Sequence, residues 1–172
     1  MAWWSVAVLG GDMPLNILAD IREKCGVNDQ YFYEECFGEY PKIKTDVENS
    51  LEKLYFEYCP MSIVNTEDER TIVKVQILGV LHLLCGIPFK SESYKNMIMT
   101  ACALDSWSLK DNKRGRYMAQ LANIVKTYTG EVVYSVHDFY STDTLTPIKI
   151  DRVMAEEWLP EYEEDVEKGV DL

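Results

Sequence analysis

The sequence predicts a mainly α fold of the α+β kind: one helical domain of about six helices with a small two-stranded β element. Three observations predict it. Apolar residues recur at helical spacing in five long segments, glycine or proline punctuates most of their ends, and two short stretches carry the alternation of a strand. The chain has 172 residues, 47% hydrophobic and 27% charged, which suits a single globular domain with a real core. Residues 1–150 read as a mainly helical core domain and residues 151–172 as an acidic helical tail.

Taken in order, Trp4 to Leu9 is the first expected strand, broken by Gly10-Gly11. Asp12 is a good N-cap, with Pro14 in the first turn. Leu15, Ile17, Leu18 and Ile21 follow at helical spacing, and Gly26 closes the helix. Val27 to Lys44 is aromatic, acidic and irregular. Thr45 and Glu48 form a capping-box pattern for a helix from about Val47 to Tyr58, ended by Pro60. Thr66 and Glu69 repeat the pattern for a helix to Cys85. By its second half that helix is apolar on nearly every face, which marks it as the central buried one. Gly86 and Pro88 stop it. Ser91 caps a helix through about Leu104. Another runs from about Lys113 to Thr129, with Tyr117, Leu121, Ile124 and Val125 inward and Gly130 at its end. Glu131 to His137 alternates as the second strand. Ser141 to Pro147 is a loop, and two short helices around Pro160 finish the chain.

Lys+Arg is 17 and Asp+Glu is 29, a net charge of −12 with a pI near 4.6. Such a chain is repelled by nucleic-acid phosphate and by anionic membrane, so neither is an expected direct partner. The charge is uneven: residues 151–172 hold 9 acids and 2 bases, while residues 87–127 hold 3 acids and 7 bases. The basic stretch centres on Lys110, Lys113, Arg114 and Arg116. The five cysteines (Cys25, Cys36, Cys59, Cys85 and Cys102) are odd in number and contain no CxxC, against a disulfide framework or a zinc ribbon. The N-terminal stretch lacks a positively charged n-region, which reads against a signal peptide. The longest apolar run, Ile77 to Cys85, is too short to span a bilayer. The cytoplasm of a bacterial or phage-infected cell is the expected compartment.

The candidate sites compete with plainer readings. Leu9-Gly10-Gly11-Asp12 joins a strand to a helix, where glycine turns can cradle phosphate. It lacks GxGxxG and GxxxxGK[ST], and Asp12 puts a carboxylate where an anion would sit. Gly11, Asp12, Asp20 and Asp105 together form the candidate small-ligand pocket. Asp12 and Asp20 lie about 12 Å apart along a helix, too far to share one small metal ion alone. His82 and His137 have no neighbour at ligand spacing, so no metal and no cofactor is expected. His82, within Leu78-Gly-Val-Leu-His-Leu-Leu-Cys, reads as a core histidine with a satisfied ring nitrogen. Cys85 beside it would be a desolvated, unreactive thiol. No catalytic residue is assigned. Trp158, Glu161, Tyr162, Glu163, Glu164 and Asp165 form an acidic run with aromatic anchors, the candidate surface for a basic partner. The plainer alternative folds this run onto the chain's own Lys110 to Arg116.

The opening Trp3-Trp4-Ser-Val-Ala-Val-Leu-Gly-Gly-Asp12 and Ala19-Asp20-Ile21 are followed by Leu83-Leu84-Cys85-Gly86-Ile87-Pro88. Then come Ala103-Leu104-Asp105, Trp107, Arg114, Arg116 and Leu121. In that order they resemble a bacterial and phage domain family of uncharacterised function, over residues 3–125 in pieces. Trp4 stands where that family has glycine, and residues 27–66 and the acidic tail have no counterpart. The resemblance implies a small helical domain from bacteria or their phages, a setting rich in immunity and host-takeover proteins. It carries over no chemistry.

The expected function is therefore a non-enzymatic acidic binding protein: an inhibitor, immunity or host-takeover factor on a basic protein surface, with nucleic-acid mimicry as one form. The alternative is a small enzyme or ligand-binding protein acting on a nucleotide or other small molecule at the Gly10-Gly11-Asp12 turn.

Overall fold

The helix from Glu69 to Cys85 organises the molecule. The structure, a computed structural model, describes residues 5–27, 41–60, 63–64, 68–130, 134–140 and 145. Among them are six α-helices: α1 Asp12–Cys25, α2 Pro41–Tyr58, α3 Glu69–Cys85, α4 Glu92–Ala103, α5 Asn112–Thr127 and α6 Val136–Tyr140, with a 3-10 turn at Trp107–Leu109 between α4 and α5. The mainly helical reading holds.

α3 is buried on every side from Val75 to Cys85, as its apolar composition requires. It packs against α1, α2 and α4, and α4 packs in turn on α5. Asp68 caps it by accepting from the Arg70 amide at 3.1 Å. Thr66, the expected partner of Glu69, lies outside the described residues. Gly26 and Gly86 end α1 and α3 with φ of 68° and 67°, the left-handed conformation that glycine adopts without a Cβ penalty. Ser91 caps α4 through the Tyr94 amide as expected. Asp111 caps α5 through the amides of Lys113 and Arg114.

Further local expectations change. Gly11, in extended conformation, is the N-cap of α1, and Asp12 stands in the first turn, where its carboxylate still complements the helix dipole. α2 begins at Pro41, so Thr45 and Glu48 lie inside it. Extending the helix upstream adds Ile43 to the buried stripe Val47, Leu51, Leu54 and Tyr58, and that burial outweighs a local cap.

The described residues of the expected strands take other forms. Ser5 to Leu9 is a closed turn, with Gly10 N donating to Ala7 O at 3.0 Å and Ser5 N to Gly10 O at 3.4 Å. The carbonyls of Val6 and Ala7, which a strand would give to a neighbour, accept from Arg114 instead. Val136 and His137 open α6. Ser135 Oγ accepts from the His137 amide and Asp138 Oδ2 from the Ser135 amide, at 3.1 and 3.2 Å, a reciprocal cap that wins over the alternating pattern. Residues 131–133, the loop 141–144 and 146–147, and the helices expected around Pro160 lie outside the described residues.

Candidate functional site

One flank of the α2 core stripe meets the loop between α3 and α4. A cavity of about 260 Å³ opens there. Leu51, Glu52, Tyr55 and Phe56 line it from α2, His82 from α3, and Lys90, Ser91 and Tyr94 from the start of α4. The α2 positions are one turn apart in two rows, so they share a face. Phe56 is 73% exposed, unusual for so large an apolar ring. Edge-to-face contacts tie the wall together: Tyr55 to Phe56 at 5.6 Å and Tyr55 to Tyr94 at 4.7 Å.

His82 is the most buried of the lining residues, 1% exposed. Its Nδ1 is 2.9 Å from Ile87 O, its Nε2 is 3.1 Å from the Tyr94 hydroxyl, and its ring stacks on Phe89 at 4.4 Å. A carbonyl only accepts, so Nδ1 carries the proton. Burial pushes the imidazole down to about 4, with Lys90 adding to the effect and the Ile87 carbonyl opposing it. The ring is neutral near pH 7, Nε2 is an acceptor, and the Tyr94 hydroxyl donates to it. This is the satisfied core histidine that the sequence implied. What the sequence did not show is that Tyr94 completes it and that the pair faces a cavity.

A second polar cluster is deeper. Arg114 Nε and Nη2 donate to Asp105 Oδ2 and Oδ1 at 3.0 and 2.8 Å. Arg114 Nη1 donates to Val6 O and Ala7 O at 2.9 and 3.0 Å. The guanidinium lies 5.0 Å from the Trp107 ring. Gln76 Nε2 and the Ser108 amide and hydroxyl also donate to Asp105. Burial pushes the Asp105 carboxyl up, but Arg114, Gln76 and Ser108 outweigh it and hold the group below the usual range. Both charges are almost fully buried. Arg114 is thus not part of an exposed basic stretch; Lys110, Lys113 and Arg116 remain exposed.

Asp20 belongs to a third cluster. It pairs with Lys24 at 3.0 Å and accepts from the Tyr58 hydroxyl at 2.9 Å, and these two bonds lower its pKa. Lys24 also bonds Glu57. Lys24 and Lys74 each sit 5.0 Å from the Tyr58 ring. Asp20 and Asp105 therefore have separate partner sets. Asp12 is exposed at the start of α1, and Gly11 is buried beside it. Ser5 Oγ occupies the space beside Gly10 that a side chain would need, which explains glycine there by packing.

Burial raises the described thiols: Cys59 and Cys102 are each pushed up to about 12, and Cys25 and Cys85 are also raised. Among the described residues no group of three or more His, Cys, Asp or Glu could hold a metal ion. No helix among them is long and apolar enough to cross a membrane. Cys36 and the run Trp158, Glu161, Tyr162, Glu163, Glu164 and Asp165 lie outside the described residues. Leu145 is held to α5: Gln120 donates to Leu145 O at 2.9 Å and accepts from the Leu145 amide at 3.0 Å. No family model, no curated protein and no solved structure matches the chain.

Proposed function

We propose that the chain is a binding protein and not an enzyme, and that its acidic C-terminal segment engages a basic protein surface. An inhibitor, immunity or host-takeover factor works this way, and mimicry of nucleic acid is one form of it. The observation that carries the reading is the charge distribution: residues 151–172 hold 9 acids and 2 bases of a chain with net charge −12. Trp158 and Tyr162 within that run supply aromatic anchors, the residue types that dominate binding energy when desolvated. The body adds support. Its buried carboxylate, imidazole and thiols are committed to internal bonds or raised by burial, the chemistry of a scaffold.

A cross-linked pull-down from bacterial lysate tests this, with the full chain, with residues 151–172 deleted, and with Glu161→Lys, Glu163→Lys and Glu164→Lys combined. The full chain should recover one basic protein that both variants lose. Its association rate should fall about tenfold as salt rises from about 0.05 to about 0.5 M. Equal recovery by the deletion variant, or no specific basic protein, refutes the reading.

A further inference from the structure

We propose that the cavity between α2 and the start of α4 binds a free aromatic amino acid. Its ring lies against Tyr55 and Phe56, its ring-borne hydrogen-bond donor meets the Tyr94 oxygen, and its charged ends lie between Glu52 and Lys90. The proposal does not depend on what the acidic segment binds.

Size comes first. At about 260 Å³ the cavity falls just below the roughly 300–1,000 Å³ of sites for drug-sized ligands. It admits one aromatic ring with a short tail, not a dinucleotide. Its walls favour a ring, because Tyr55, Phe56 and Tyr94 offer edges and faces for offset or edge-to-face contact, the geometry aromatic pairs prefer.

The Tyr94 hydroxyl, on a lining residue, then selects within that class. The Tyr94 hydroxyl spends its only proton on His82 Nε2, as the protonation of Nδ1 toward Ile87 O requires. What Tyr94 retains is acceptor capacity. A ligand group meeting it has to be a donor: a phenol O–H or an indole N–H satisfies it, and a bare phenyl ring leaves it unpaired.

The lining also carries two opposite charges, Glu52 and Lys90, both exposed. An acid and a base together at one small opening match a zwitterion. They do not favour an anion, which Glu52 would repel, or a simple cation, which Lys90 would repel. A ring with a donor at its tip and both an ammonium and a carboxylate at its base is tyrosine or tryptophan.

Isothermal titration of the full chain tests this with L-tyrosine, L-tryptophan, L-phenylalanine and N-acetyl-L-tyrosinamide, which lacks both charges. L-Tyrosine or L-tryptophan should bind with Kd in the range of about 10 μM to 1 mM. L-Phenylalanine should bind about fivefold more weakly, the loss of one neutral hydrogen bond. Glu52→Gln and Lys90→Gln should each weaken the zwitterions about threefold and leave the amide unchanged. Phe56→Ala should weaken every ligand. All three substituted positions are exposed, so unchanged thermal melts confirm that the variants stay folded. No heat from any amino acid up to about 5 mM overturns the proposal. So does binding that ignores Phe56→Ala, Glu52→Gln and Lys90→Gln. Tighter binding of the amide overturns the free amino acid as occupant and assigns the cavity to a residue within a peptide chain.

Discussion

Replacing Asp105 with alanine should cost the fold about 3–5 kcal/mol, the range for removing one partner of a buried ion pair. The geometry argues for that range over the smaller values of surface pairs. The Arg114 guanidinium, 1% exposed in its side chain, would keep its bonds to Val6 O and Ala7 O. Its Nε and Nη2 would lose their bonds to the Asp105 carboxylate. Gln76 Nε2 would lose one of two acceptors, and the Ser108 amide and hydroxyl would lose theirs. At roughly 2–4 °C per kcal/mol for a chain of this size, the melting temperature should fall by about 6–20 °C. Urea melts of wild type, Asp105→Ala, Arg114→Met and the double variant measure the pair itself. The double variant should be less destabilised than the sum of the singles by at least about 2 kcal/mol, because removing both charges leaves neither buried alone. It should not return to wild type, since Val6 O and Ala7 O lose the Arg114 donor. An Asp105→Ala variant costing under about 1 kcal/mol, or simple additivity, would refute the buried-pair reasoning.

The remaining predictions concern pH, helix packing and thiols. Asp105 has a folded pKa below its unfolded value, so its contribution is full above about pH 4 and is lost as pH falls through the folded value; the gap between wild type and Asp105→Asn in thermal melts should narrow in acid, and a gap independent of pH would refute it. His82, pushed down to about 4, takes up its proton only in the unfolded chain between that pH and about 6.5. Stability should therefore fall across that window on acidification, by at most about 3 kcal/mol. An NMR titration should show the His82 ring silent above about pH 5, and a midpoint near 6.5 would contradict the assignment. Gly79→Ala puts a Cβ 2.6 Å from the buried Ile98 Cγ2 and should destabilise by about 1–2 kcal/mol despite a better helix propensity. Gly115→Ala, whose Cβ meets Ser108 O at 3.4 Å, should stabilise α5 by about 0.5–1 kcal/mol; urea midpoints moving the same way for both would sink the comparison. In a Cys36→Ser, Cys59→Ser chain, Ellman's reagent should react with Cys25, Cys85 and Cys102 only as fast as the protein opens, because all three are buried and burial raises their thiols; rapid labelling would contradict this.

How much of this was legible depends on whether a signal is local. The Ser91 cap, the Gly26 and Gly86 stops and the apolar girth of α3 are each readable in a few residues, and each is found in place. The start of α2 was misplaced because a cap is worth about 1 kcal/mol, while burying Ile43 is worth about 1.5–3 kcal/mol. The Ser135–Asp138 box was present in the sequence as Ser-x-x-Asp but was masked by the valines before it. The cavity left one signal: Tyr55 and Phe56 stand off the buried stripe 43, 47, 51, 54 and 58, so their rings had to lie beside the core, not in it. The closing wall, from Lys90 to Tyr94, lies more than 30 residues along the chain, and nothing local joins the two.

Arg114 shows the same limit from the side of charge. Counted along the chain, it belongs with Lys110, Lys113 and Arg116. Counted along α5, it belongs to the buried stripe with Tyr117, Met118, Leu121 and Val125. A base on an apolar stripe requires a buried acid, and Asp105 supplies it. That changes the alternative in which the acidic tail folds onto the chain's own basic stretch. With Arg114 neutralised internally, the exposed bases there are Lys110, Lys113 and Arg116, against 9 acids and 2 bases in residues 151–172. Three positive charges cannot balance that excess. Even a tail resting on α5 would keep negative potential to offer, and a Lys113→Glu, Arg116→Glu double variant should bind the basic partner no more weakly than the wild type. Weaker binding would place the partner's contact on α5 and not on the tail.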